Sequence, residues 1–231
     1  MDLHNFIFGA YPYLAGTIFL TGVWFRFDRE QYTWKSDSSQ LLSRKNLRVA
    51  SNLFHIGIIA IFFGHLFGML TPHSWFLALG LSDLTHQYLA IWAGMIFGFL
   101  CLAGAGMLIQ RRLFNPRIRA VSRHSDYVII FWITATLLLG LATIPTSLGH
   151  AAKGDAATMV ILTEWVKSVA TLSIKPELLR DVPAIYKAHI FFGMTVFLLF
   201  PFTRLVHIFS VPVGYLTRSY QIVRTKRVLA R

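Results

Sequence analysis

Five stretches of this chain carry no Lys, Arg, Asp or Glu: 3–25, 49–82, 84–110, 127–152 and 188–203. Apolar runs of this length have few places to go in water. In a bilayer, roughly 20 such residues cross the hydrocarbon as a helix. The last run is short and reaches that length only by continuing past Arg204, which must then lie near an interface or have a partner. Helices are the expected form, because a lipid-exposed backbone must satisfy its own hydrogen bonds and no run alternates like a barrel strand. Composition agrees. Of 231 residues, 55% are hydrophobic and 14% charged, against about 25% charged in soluble domains. That is too little polar surface for a soluble protein. Gly 16 and Cys 1 exclude a collagen-like chain and a disulfide scaffold.

The sequence therefore predicts an all-α polytopic membrane protein, a bundle of five transmembrane helices forming one domain over 1–231. The spans are expected at about 3–27, 49–71, 86–110, 126–148 and 184–210, with a tail at 211–231. Proline at 72 stops the second span and proline at 116 follows the third, because the residue before proline is driven out of helical geometry. Pro145 and Pro201 fall late in the fourth and fifth spans and are expected to kink them. The segment 151–175 has mixed polarity and reads as an amphipathic helix lying on the membrane. Cys101 sits in mid-span and reads as a small packing residue.

The net charge of +12 would suggest nucleic acid in a soluble protein. Here its placement points to lipid headgroups and membrane orientation instead. Basic residues fall in 26–48, 111–123 and 204–231, which hold 17 of the 22 Lys and Arg, and 71–87 holds none. The side with the excess is cytoplasmic, which puts the N-terminus outside and the C-terminus inside. No cleavable signal is expected, since the first run lacks a basic leader and is long enough to remain as a span.

Nine histidines are present. His4, His73, His86, His124 and His150 fall at span ends or in loops, where a polar ring needs no special role. His55 and His65 lie within the second span, and His189 and His207 within the fifth. An imidazole inside a bilayer needs a partner. Singly, each is as well explained by an interhelical hydrogen bond. As a set, antiparallel pairing of these spans brings His55 near His207 on the cytoplasmic side and His65 near His189 on the outer side. Two stacked pairs are what two bis-imidazole b-type haems require. Zinc or copper would need several ligands in one small shell, whereas haem asks for one axial ligand per face. The rises do not match on straight helices, at about 15 Å against about 27 Å. Gly57, Gly64, Gly68 and Gly193 either make room for a macrocycle or serve helix packing. Arg204, three residues before His207, either meets a haem propionate or snorkels to the surface.

The run 51–57 (SNLFHIG) and the run 63–73 (FGHLFGMLTPH) resemble the second helix of the gamma subunit of membrane-bound respiratory nitrate reductase. The resemblance extends to 31–34 (QYTW), 111–114 (RRLF), 199–207 (LFPFTRLVH) and 210–218 (SVPVGYLTR), in order along nearly the whole chain. It implies a dihaem cytochrome b in the bacterial cytoplasmic (inner) membrane that oxidises quinol at the periplasmic side. The residues matching His55 and His207 hold the haem nearer the cytoplasm, and those matching His65 and His189 hold the outer one. Electrons pass to an iron–sulfur beta subunit and then to a molybdenum-containing alpha subunit at the cytoplasmic face, which reduces nitrate. The subunit itself carries no catalytic residue for nitrate. The family has a lysine in the loop before the third helix; the nearest basic side chain here is His86, so Gly64 and His86 are the candidates for quinol contact. Two other readings remain: a cytochrome b anchor of a different quinone-linked oxidoreductase, and a haem-free transporter.

Overall fold

The computed structural model describes residues 2–35, 39, 41–43, 46–210 and 217. The expected tail, apart from Thr217, lies outside them. Every regular element among the described residues is helical. Helix α1 runs over Leu3–Arg29 and contains a π-helical stretch at Phe6–Ala10. It is followed by α2 (Leu47–Leu70), α3 (His73–Ala78), α4 (Asp83–Phe114), α5 (Pro116–Val121), α6 (His124–Ala151), α7 (Ala157–Ala170) and α8 (Ala184–Leu199). Two 3₁₀ segments, Phe200–Phe202 and Arg204–Ser210, extend α8. Five of these helices are long and apolar enough to cross a membrane: α1, α2, α4, α6 and α8 with its first 3₁₀ turn.

Local chemistry explains the boundaries. Helix α2 ends at Leu70 because Pro72 forces Thr71 into extended geometry (ψ 134°). Helix α4 starts at Asp83, three residues earlier than the sequence suggests. There the Ser82 hydroxyl accepts from the Thr85 amide at 3.2 Å, and Asp83 complements the positive end of the helix dipole. His86, expected as the first residue of the span, thus lies within the helix's first turn. Helix α4 stops at Phe114, and Asn115 then caps α5 by accepting from Arg117 and Ile118. Pro145 does not end α6, which continues to Ala151.

Packing runs in an open arc: α2 lies on α4, α4 on α6, α6 on α8, and α8 on α1. The α2–α4 seam is made of small residues. A side-chain carbon on Gly57 would lie 2.6 Å from Cys101, and one on Gly104 would overlap the backbone of Phe54. Cys101 is fully buried there, as a packing residue should be. Without a hydrophobic force between helices in lipid, such close backbone approach is the main source of attraction. Gly57 therefore serves packing, whereas among the described residues nothing beyond the local helix backbone stands within 4 Å of the Cβ position on Gly64 or Gly193.

Helix α7 does not simply rest on the membrane. Its Leu162 and Trp165 face is buried against Phe8, Leu179, Val182 and Tyr186, forming an apolar cap. The Trp165 indole donates to the carbonyl of Phe8 at 3.2 Å, inside the π-helical stretch of α1. This cap closes the end of the bundle opposite the Arg-rich loops.

Candidate functional site

Helices α2 and α8 are not neighbours in the packing arc, yet their histidines face each other. The rings of His55 and His207 have centroids 6.3 Å apart, with planes at 80°. The rings of His65 and His189 are 6.0 Å apart, at 45°. A direct N–H···N bond would bring the centroids to about 5 Å. Two imidazole–metal bonds of about 2.0 Å, each with about 1.1 Å from nitrogen to centroid, sum to about 6.2 Å. Both spacings suit one metal ion gripped between two axial rings.

The tautomer is set in the same sense at all four. Nδ1 of His55 lies 2.7 Å from the carbonyl of Ser51, and Nδ1 of His65 lies 2.8 Å from that of Ile61. Nδ1 of His189 lies 3.0 Å from the Thr136 carbonyl, and Nδ1 of His207 lies 2.5 Å from the Arg204 carbonyl. Carbonyls only accept, so each Nδ1 carries the proton and each Nε2 is left with its lone pair for a metal. This is the arrangement by which second-shell groups orient metal-binding histidines. Among the described residues no three His, Cys, Asp or Glu side chains gather into one shell. The donor set fits a flat macrocycle held from two faces, and not a compact zinc or copper centre.

Room for His189 comes from α6. A Cβ on Gly140 would stand 2.8 Å from His189 Cε1. Spacing alone could not find Gly140, or Thr136 with its carbonyl, because both lie on a third helix.

The His55–His207 pair depends on a break in the chain. A straight fifth helix would carry His207 about 27 Å from His189, too far to match the spacing on α2. In the structure α8 ends at Leu199, because Pro201 has no amide hydrogen to continue the ladder. Thr203 is extended (φ −124°, ψ 179°), which redirects the chain before His207. The carbonyls of Pro201 and Thr203 accept from Arg26 of α1 at 2.7 and 2.8 Å. Arg26 also donates to Thr33, within the QYTW stretch. A Cβ on Gly22 would meet the Pro201 ring at 2.7 Å, so α1 presses directly on the break.

Arg204 has a protein partner rather than a purely surface role. Its Nε lies 2.7 Å from Asp126 Oδ1 and its terminal nitrogen lies 2.6 Å from Oδ2. Asp126 is 4% exposed and also takes Arg112 at 3.0 Å. The only hint of this in the sequence is one acidic residue among the basic residues following the third span.

At the opposite end His86 is buried and stacks on Phe76, with centroids 4.2 Å apart. Its Nε2 lies 3.6 Å from the Cβ position of Gly68, one helical turn after Gly64 on α2. Next to it, Gln87 is buried; its amide nitrogen donates to the Ser147 carbonyl at 3.0 Å, while its Oε1 has no partner among the described residues. Three of the other peripheral histidines have local partners: His4 bonds the Pro176 carbonyl, His73 meets Asp83, and His150 meets Thr158.

The family model described as nitrate reductase gamma subunit matches residues 4–226. The chain is 49% identical over 225 residues to the respiratory nitrate reductase 1 gamma chain of Escherichia coli (strain K12), covering 97% of this chain and 98% of that one. It is 47% identical over 226 residues to the respiratory nitrate reductase 2 gamma chain of the same strain, with the same coverage of each chain. It is 38% identical over 221 residues to the nitrate reductase gamma chain of Bacillus subtilis (strain 168), covering 95% and 97%.

Proposed function

The chain belongs to the nitrate reductase gamma subunit family, and from that premise we propose that it is the membrane subunit of a respiratory nitrate reductase, a dihaem cytochrome b that oxidises quinol. His55 and His207 hold the haem b nearer the cytoplasm, and His65 and His189 hold the periplasmic one. When bound, the two haems supply one-electron carriage across the inner membrane towards an iron–sulfur beta subunit and a molybdenum-containing alpha subunit that reduces nitrate. The observation that carries this reading is the double pairing of imidazoles at 6.3 and 6.0 Å.

The residues of the chain divide the remaining work. Four Nδ1 protons bound to carbonyls keep each Nε2 basic and aimed. Oxidising a quinol releases two protons and two electrons. Gly64 and His86 form the quinol contact, with open space beside the first and a buried imidazole in the second. His86 Nε2, next to α2, accepts one quinol proton and releases it to the periplasm, and the second proton leaves directly to periplasmic water. Inward movement of each electron stores about 2.3 kcal/mol per 100 mV of membrane potential. The Arg-rich loops carry the excess positive charge to the cytoplasmic face, where they meet the beta subunit and anionic lipid.

A reduced-minus-oxidised spectrum with haem quantitation on the purified chain tests the reading. Two haems b per chain are expected; one or none overturns it. Replacement of His65 should remove the periplasmic haem and stop quinol-driven reduction of the other. Electron flow from quinol that survives that loss would overturn the proposed direction.

A further inference from the structure

Asp126 sits at the junction of three spans. It belongs to the first turn of α6, where it also accepts from the Arg123 amide at 3.1 Å. Its two oxygens hold Arg204 in a two-point clamp and take Arg112, from the last turns of α4, at 3.0 Å. Arg112 is fixed in turn by the Ser122 hydroxyl at 2.8 Å and lies over the Tyr127 ring. The backbone carbonyl of Arg204 is the group that accepts from His207 Nδ1. One carboxylate thus anchors the side chain of the residue that supplies this carbonyl, and its negative charge offsets one of the two guanidinium charges it holds. A group this buried is costly unless fully paired, which makes it a poor choice for mere adhesion.

We infer that Asp126 is a positioning residue for the cytoplasmic-side haem, holding His207 through Arg204 and setting the local charge, together with Arg112, that fixes this haem's reduction potential. The inference rests on the dihaem reading above. Reduction adds one negative charge to the haem, so positive charge nearby favours the reduced form.

The test is a potentiometric titration of the haem absorbance in membranes containing the full chain. The transition that survives in a His65→Ala background identifies the cytoplasmic-side haem. Asp126→Asn removes one negative charge from the cluster and should raise that midpoint. Arg112→Gln removes one positive charge and should lower it. The periplasmic haem should stay put in both, and Asp126→Glu should restore the native value. Opposite shifts from two changes in one cluster are not expected of a purely structural tie, which would only lower haem content. If both variants keep both haems and the midpoint does not move, the inference is wrong. If Asp126→Asn fails to assemble, Arg112→Gln decides alone, and an unchanged or raised midpoint overturns the inference. Absence of haem from the unmodified chain would instead sink the dihaem reading itself.

Discussion

Arg26 and Pro201 meet across the α1–α8 interface, with the guanidinium donating to the proline carbonyl at 2.7 Å. The same side chain reaches the Thr203 carbonyl at 2.8 Å. A helix broken inside a bilayer leaves carbonyls that water cannot reach, and each costs about 1–3 kcal/mol if stranded. Arg26 satisfies two of them. Arg26→Ala should therefore loosen the segment that carries His207. The expected result is selective loss of the cytoplasmic-side haem with the other retained, read as haem per chain, and a lower unfolding temperature. Equal loss of both haems would count against this local account.

Gly140 and His189 make a second dependence. A methyl group at position 140 would stand 2.8 Å from Cε1 and 3.3 Å from Nδ1 of the imidazole. The ring must then shift away from the Thr136 carbonyl that fixes its tautomer. Gly140→Ala should cost about 1–3 kcal/mol by overpacking and should deplete the periplasmic haem. Difference spectroscopy checks it, and the haem held by His55 and His207 should remain.

At the α2–α4 seam, Gly104 admits the backbone of Phe54 where no side chain fits. Gly104→Val must push α2 away from α4. Since α2 contributes one histidine to each pair, both haems should be lost together, unlike the selective losses above. Size-exclusion profiles and haem content in detergent report this, and retention of either haem at native level would contradict it.

His86 is the proposed quinol contact, and its ring is held by stacking on Phe76. His86→Leu keeps an apolar body and removes the proton acceptor. Losing a positioned proton acceptor, typically about 10²–10⁴-fold in rate, should lower kcat for quinol oxidation, with the haem spectrum unchanged. Steady-state quinol oxidation against a soluble quinol analogue measures it.

Much of this was legible in one dimension. Charge-free runs of span length produce five membrane helices whatever the tertiary contacts, because the backbone has no other way to bond in lipid. Proline at 72 and proline at 116 end their helices by local sterics alone. The four histidines stand out because imidazole is out of place in hydrocarbon, and an antiparallel order of spans is enough to propose which faces which. The sequence puts the start of the third span at His86, three residues late, since the capping hydroxyl of Ser82 acts upstream of where the apolar pattern becomes clear.

What local sequence rules cannot supply is the set of groups that act from another helix. The unequal histidine spacings on the two spans look irreconcilable until Pro201 ends α8 and Thr203 turns the chain. That break is tolerable only because Arg26, about 175 residues earlier, is folded against it. Gly140 and Asp126 are likewise ordinary residues until folding brings a ring against one and two guanidiniums against the other. Spans, their ends and their odd residents follow from solvation and backbone sterics, which act within a few residues. The placement of carbonyls, charges and missing side chains around each imidazole pair follows from contact, and contact exists only in the assembled bundle.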